Sequence, residues 1–303
     1  MQLGINLGYW GAGMDADNLE VAKEADRLGY AVCWAAEAYG SDAATVLSWV
    51  AAHTERIDVG SAIFQIPARQ PAMTAMTAAT LDSLSGGRFR LGLGVSGPQV
   101  SEGWYGVKFD KPLARTREYV EIVRKAMSRE RLSYEGEHWT LPLPGGPGKP
   151  IKLTVHPERE YIPLYIAAIG PKNLEQTGEI ADGALLIFPS AAHLEETTLR
   201  HVRAGREKAG KTMEGFDVHP TLPLAAGEDK AQAAAIALSG AGEIQAPAAG
   251  AYGRPGTLWV LGAAAASPRP RALYPPASAW ADPPPARPKR QVPAPSRLWV
   301  VPA

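Results

Sequence analysis

Strand and helix patterns alternate along the first 226 residues, and that alternation restricts the chain to a parallel sheet flanked by helices. QLGINL (2–7) reads as a short apolar strand. DADNLEVAKEADRLG (15–29) follows with capping residues, apolar positions at helical spacing and a terminal glycine. The pairing recurs: AVCWAAE (31–37) before a helix over 42–54, IDVGSAIFQIP (57–67) before 71–85, and RFRLGLGVS (88–96) before 111–129. After an interruption at 130–160, strands at 162–170 and 183–189 alternate with helices at 171–182 and 191–210, and FDVHPTLPLAA (216–226) is a seventh strand. Such a chain closes as a (β/α)8 barrel or stays open and doubly wound.

GLGVSG (92–97) decides between them, although its letters point the wrong way. Gly92, Gly94 and Gly97 satisfy the GxGxxG pattern of a dinucleotide-binding turn, but 31 of 303 residues are glycine and such spacings arise by chance. In that turn a helix begins at once, usually in the first unit of the fold. Here three units come first, the glycines lie within the strand, Pro98 follows, and the next helical pattern waits until about residue 111. The expectation is an α/β TIM barrel, with these glycines at the C-terminal rim where barrel enzymes carry their sites.

Four rim segments are candidates for chemistry. GSAIFQIP (60–67) joins small residues to a branched one before Pro67 turns the chain out of the sheet. It is either a plain strand end or a strained bulge offering an apolar edge to a flat ligand. IAAIGPKN (166–173) ends a strand at Gly170 and opens a helix with Pro171; its free amides favour an anion such as phosphate, with Lys172 and Asn173 adding charge and a donor. Proline at the first helical position is equally what a purely structural helix uses. Glu37 ends the second strand beside Tyr39, placed for acid, base or acceptor duty or for pairing with a neighbour. Trp104 and Tyr105 either wall a pocket or pack a loop.

Other classes lack support. Lys plus Arg and Asp plus Glu both number 31, so no net field favours nucleic acid or an anionic membrane. Cys33 stands alone and reads as buried filler, no HExxH pairing suits a metal, and no GxSxG marks an acyl-transfer serine. The opening MQLGINLGYWG lacks a basic region followed by an apolar run, and no apolar stretch reaches about 18 residues, so the expectation is a cytoplasmic protein.

GSAIFQIPARQPAMTAMTAATLDSLSGGRFRLGLGVSGPQVSEGW (60–104) together with AAIGPKNLEQTGEIADG (167–183) resembles the bacterial luciferase-like superfamily. Within it the match is to the coenzyme F420-dependent oxidoreductases, relatives of methylenetetrahydromethanopterin reductase, over roughly residues 1–238. The resemblance implies a (β/α)8 barrel with a deazaflavin at its C-terminal rim and a cis peptide at Ala62–Ile63 backing the ring. It places Glu37 in the cofactor region, Ser96 and Gly97 against the ring or its side chain, and Gly170, Pro171, Lys172 and Asn173 at the phosphate. Catalytic side chains are not assigned. The implied chemistry is hydride transfer to or from F420, FMN being the alternative cofactor of a monooxygenase relative. The partner is a small-molecule substrate, and a homodimer is compatible with the family. Sugar-phosphate dehydrogenases of the family carry a His and a Glu where this chain has Ala38 and Gly97, which favours reduction over alcohol oxidation.

The end of the chain departs from the family. Residues 239–303 are dominated by Ala, Pro, Arg and Gly, and prolines this dense suit neither helices nor central strands. Two domains are therefore expected: a barrel over 1–238, incomplete at its C-terminal end, and an atypical, disordered tail. The tail is either a Pro-rich arm or an out-of-frame segment, the latter making an inactive or folding-defective protein a competing reading. TLWVLGA (257–263) is its sole strand candidate.

Overall fold

A computed structural model describes residues 2–10, 15–187 and 194–222; the expected domain boundary at 238, the tail and TLWVLGA lie outside the described residues. Within them the chain runs β1 (Gly4–Asn6), α1 (Asp15–Leu28), β2 (Val32–Ala35), α2 (Ala43–Ala52), β3 (Asp58–Ser61), β4 (Phe64–Gln65), α3 (Pro71–Leu84), β5 (Phe89–Gly94), α4 (Pro98–Ser101) and α5 (Pro112–Met127). It continues through β6 (Tyr134–Glu135), β7 (Thr140–Leu141), β8 (Leu164–Ala167), α6 (Pro171–Ile180), β9 (Gly183–Ile187), α7 (Arg200–Lys208) and β10 (Asp217–Thr221). Each expected strand and helix of the described region is present, shortened at its ends. Two features were not expected. The short helix α4 starts directly after Gly97 with Pro98 in its first turn, where the sequence suggested no helix before 111, and β6 and β7 form an antiparallel hairpin inside the supposed interruption. The Glu118 carboxylate of α5 holds that hairpin by accepting from the amides of Glu137, His138 and Trp139.

The main sheet is parallel throughout, in the order β1-β2-β3-β5-β8-β9-β10 with β4 also on β5. It curls until distant strands face one another: Trp34 of β2 meets Tyr165 of β8 and His219 of β10 edge to face, with ring centroids 5.5 and 5.2 Å apart. This is the curvature of a barrel, with β1 and β10 as the two outer strands among the described residues. The outer apolar layer joins sheet to helices through Leu47, Phe64, Phe89, Leu91 and Tyr119, all fully buried. Cys33 belongs to this layer, where burial pushes its thiol up to about 12. At the N-terminal end of the interior, Arg90 bonds Asp58 at 2.7 Å and the Tyr165 hydroxyl at 3.2 Å, and that hydroxyl donates to Asp217. No helix among the described residues is long and apolar enough to cross a membrane.

Helices α6 and α7 cross with their backbones nearly touching. A Cβ on Gly178 would lie 2.2 Å from the Val202 carbonyl oxygen, and one on Gly205 would lie 1.8 Å from that of Glu175. Glu179 of α6 secures the crossing through Lys208 of α7 and ties α6 to α5 through Arg117.

Strand three contains the bulge that the sequence left open. Val59 and Gly60 pair with Phe89 and Arg90, whereas Phe64 and Gln65 pair with Leu93 and Gly94, so three residues, Ser61–Ile63, oppose two, Leu91 and Gly92. The Ala62–Ile63 peptide within it is cis. Where the ladder lapses, the Ser61 hydroxyl donates to the Gly92 carbonyl at 2.8 Å and accepts from the Gly92 amide at 2.9 Å. Glycine is required opposite, because a Cβ on Gly92 would stand 1.9 Å from the Ser61 carbonyl oxygen and 2.8 Å from Leu185 Cδ1. Gly92→Ala is expected to cost about 3 kcal/mol through overpacking, read as a lowered urea midpoint. An unchanged midpoint would show that the bulge yields freely.

Candidate functional site

Parallel pairing sends the C-terminal ends of β2, β3, β5 and β8 to one rim, which gathers the residues singled out above: Glu37 after β2, Ala62 and Ile63 after β3, Ser96 and Gly97 after β5, and Gly170 after β8. The bulge turns Ala62 and Ile63 inward, where they pack with Ala167 on the interior cluster of Val32, Trp34, Tyr165 and Leu185. Gly94 completes this surface, since a Cβ there would meet Ile63 Cδ1 at 2.5 Å and Ala167 Cβ at 3.3 Å. Ile63, Gly94 and Ala167 thus form one apolar floor at the rim. Ser96 leaves β5 in the left-handed region at φ 59°, a conformation non-glycine residues adopt at some cost, and redirects the chain into Gly97, which precedes α4.

Across a short loop from Ala167, α6 begins at the same rim. Gly170 precedes it with no side-chain cap, Pro171 has no amide hydrogen, and the Leu174 amide bonds the Gly170 carbonyl. The first-turn amides of Lys172 and Asn173 lie beyond the reach of intrahelical bonding, and a Cβ on Gly170 would meet nothing within 4 Å. The Lys172 side chain is exposed. Asn173 is committed otherwise, donating from Nδ2 to the Ala167 carbonyl at 3.2 Å and so tying the helix start to the end of β8.

Glu37 is 8% exposed and fully subscribed. Oε1 accepts from the Gln65 amide at 3.1 Å and Arg69 Nε at 3.2 Å; Oε2 accepts from the Ala43 amide at 3.1 Å and Arg69 Nη2 at 3.0 Å. Arg69 also bonds Asp42, which caps α2 by accepting from the Thr45 amide at 2.8 Å, and its guanidinium lies over the Phe64 ring. Burial alone would raise the Asp42 carboxyl, but the Thr45 hydrogen bonds and the charge of Arg69 hold it below the ordinary value. Arg69 and Asp42 had no individual signal in the sequence. The nearest hint was that a rim carboxylate needs a partner, and that partner comes from the segment following the bulge.

Above this network lies a cavity of about 300 Å³ lined by residues 37–42, Ala68, Arg69, Trp104 and Tyr105. The two aromatics behave differently. The Tyr105 hydroxyl donates to the Ala38 carbonyl at 2.7 Å and packs its loop, while Trp104 is 65% exposed at the mouth. Burial first, and then the Glu37 carboxylate, push the Tyr105 hydroxyl up. No group of three or more His, Cys, Asp or Glu side chains among the described residues is arranged to hold a metal.

The family model for luciferase-like monooxygenases matches residues 11–287. A Mycobacterium tuberculosis protein assigned to the coenzyme F420-dependent oxidoreductases is 46% identical over 240 residues, covering 77% of this chain and 69% of that protein. The 5,10-methylenetetrahydromethanopterin reductase of Archaeoglobus fulgidus is 32% identical over 70% of this chain and 62% of its own length. The chain thus spans roughly two thirds of these relatives. Among solved structures, the coenzyme F420-dependent tetrahydromethanopterin reductase of Methanopyrus kandleri superposes with a TM-score of 0.71 at 24% identity, over 80% of this chain and 72% of that one, a likeness of fold.

Glu37→Gln tests the network directly. The amide retains one acceptor and turns a donor toward the Arg69 guanidinium or the Ala43 amide. With one partner of a buried ion pair lost, the variant is expected to lose about 3 kcal/mol of stability, measured as a shifted denaturant midpoint. A wild-type midpoint would mean that Asp42 alone compensates Arg69.

Proposed function

The chain belongs to the luciferase-like monooxygenase family, and we propose that within it this protein is a coenzyme F420-dependent oxidoreductase acting as a reductase on a small organic molecule. The observation that carries the reading is a pair of surfaces on one rim: the apolar floor of Ile63, Gly94 and Ala167, and the open α6 start at Gly170 with its amides directed outward. A flat ring that leads to a phosphate suits this pair. Relatives named for F420 include the mycobacterial protein and a glucose-6-phosphate dehydrogenase of Kineococcus radiotolerans.

Bound F420 supplies the hydride at C5 of its deazaflavin; the protein supplies placement and a water-poor face. Ile63 and Ala62 would back the ring, Ser96 and Gly97 would border it, and Lys172 with the α6 amides would receive the phosphate. The reductive direction draws support from Glu37. All four of its acceptor positions are engaged, so it is a poor base for an alcohol proton, and Ala38 and Gly97 offer none. The favoured acceptor is an electrophilic C=C, C=N or C=O. A homodimer is part of the same reading, supported by Trp49 on α2 and Met73 and Met76 on the adjoining α3, each about half exposed.

Fluorescence titration of the purified chain with F420 and with FMN tests the assignment. Tight F420 binding is expected, weakened roughly tenfold in Lys172→Glu by repulsion of the phosphate. Tight FMN binding with none of F420 would move the protein to the oxygen-using monooxygenases, and unchanged affinity in the variant would remove the α6 start from the site.

A further inference from the structure

We infer that the cavity between Tyr39, Trp104 and the Arg69 network binds an organic cation with a flat body, and that the substrate carries a positive charge. Calling this ligand the substrate rests on the proposed function; the binding does not.

Charge is the first ground. Glu37 and Asp42 face a single guanidinium, Arg69, which bonds both carboxylates. The Glu37 side chain is 6% exposed and that of Arg69 15%, while the Asp42 side chain is 49% exposed. The network therefore carries one net negative charge, and its accessible part is the Asp42 carboxylate, kept ionised by Thr45 and Arg69. An anion entering the cavity would meet Asp42 while finding the guanidinium already committed.

Shape and surface chemistry are the other grounds. Tyr39 and Trp104 are 64% and 65% exposed at the mouth, large rings held in solvent rather than folded into the core. Their positions are fixed from beneath. Tyr39 lies 6.2 Å from the ring of Tyr9, and Tyr9 packs on Gly40, where a Cβ would meet its ring at 2.7 Å. Next to Trp104, Tyr105 is anchored on the Ala38 carbonyl. Aromatic faces attract cations through the ring quadrupole, most strongly when the cation leaves water. Aromatic walls over a net negative base therefore favour a quaternary or protonated nitrogen over a neutral body, and a neutral body over an anion.

The test is calorimetric titration of the full chain, without cofactor and at low salt, with N-methylquinolinium, with quinoline at mildly alkaline pH where it is neutral, and with quinoline-4-carboxylate. N-methylquinolinium is expected to bind roughly tenfold tighter than quinoline, with the carboxylate weakest. Asp42→Asn is expected to erase the preference for the cation while the chain still melts in one cooperative transition, because Asn caps a helix as Asp does and Arg69 keeps Glu37 as its partner. Trp104→Leu is expected to weaken quinolinium and quinoline together. Equal binding of quinoline, tighter binding of the carboxylate, absence of quinolinium binding, or a preference that survives in Asp42→Asn would each overturn the inference. Failure of F420 to bind would leave these heats unaffected, so the two readings fail separately.

Discussion

One extra residue in the third strand organises the rim. Three residues opposing two cannot keep a backbone ladder, so the hydroxyl of Ser61 spans the lapse to Gly92, and the strand resumes beyond it one residue out of step. The displaced pair, Ala62 and Ile63, is thereby delivered to the interior face. The resumed strand brings the Gln65 amide to Glu37, and the chain then leaves the sheet in time for Arg69 to reach that carboxylate. Without the offset neither the apolar floor nor the ion-pair network would stand where it does. The glycines of β5 follow from the same cause: Gly92 and Gly94 are what the neighbouring strand's crowding leaves room for.

That accounts for what could be read in advance. The alternation of period two with period 3.6 is a local signal, and the strands and helices of the described region appear where it put them. Small residues before Pro67 hint at the bulge in GSAI, and the family resemblance points to Ala62–Ile63; the matching demand on Gly92 has no local signal because it lies across a strand pair. Helix α4 is hard to see in the sequence because Pro98 resembles a break, yet it occupies a first-turn position where its lack of an amide hydrogen costs nothing. The hairpin at 134–141 depends on Glu118, a distant carboxylate that no local pattern identifies. Arg69, thirty-two residues from Glu37, escaped for the same reason.

The two ends of the interior both carry an arginine between two carboxylates. At the N-terminal end, Arg90, Asp58, Tyr165 and Asp217 bond mainly to one another beneath Trp34. At the rim, Arg69 leaves one carboxylate of its network half in solvent. Each cluster sets one guanidinium against two carboxylates, one of them about half exposed, and the parallel sheet puts the Arg69 cluster on the face where the loops converge.

The crossing of α6 and α7 has a mechanical consequence for that face. Gly178 and Gly205 let two backbones meet, which makes the contact a fulcrum seven residues from the first turn of α6. At 1.5 Å per residue the arm is about 10 Å, so a rotation of about 10° there swings the leading amides by roughly 2 Å. A hydrogen bond does not survive such a displacement. The aim of the α6 start is therefore set at its far end, in a pair of glycines that touch no ligand.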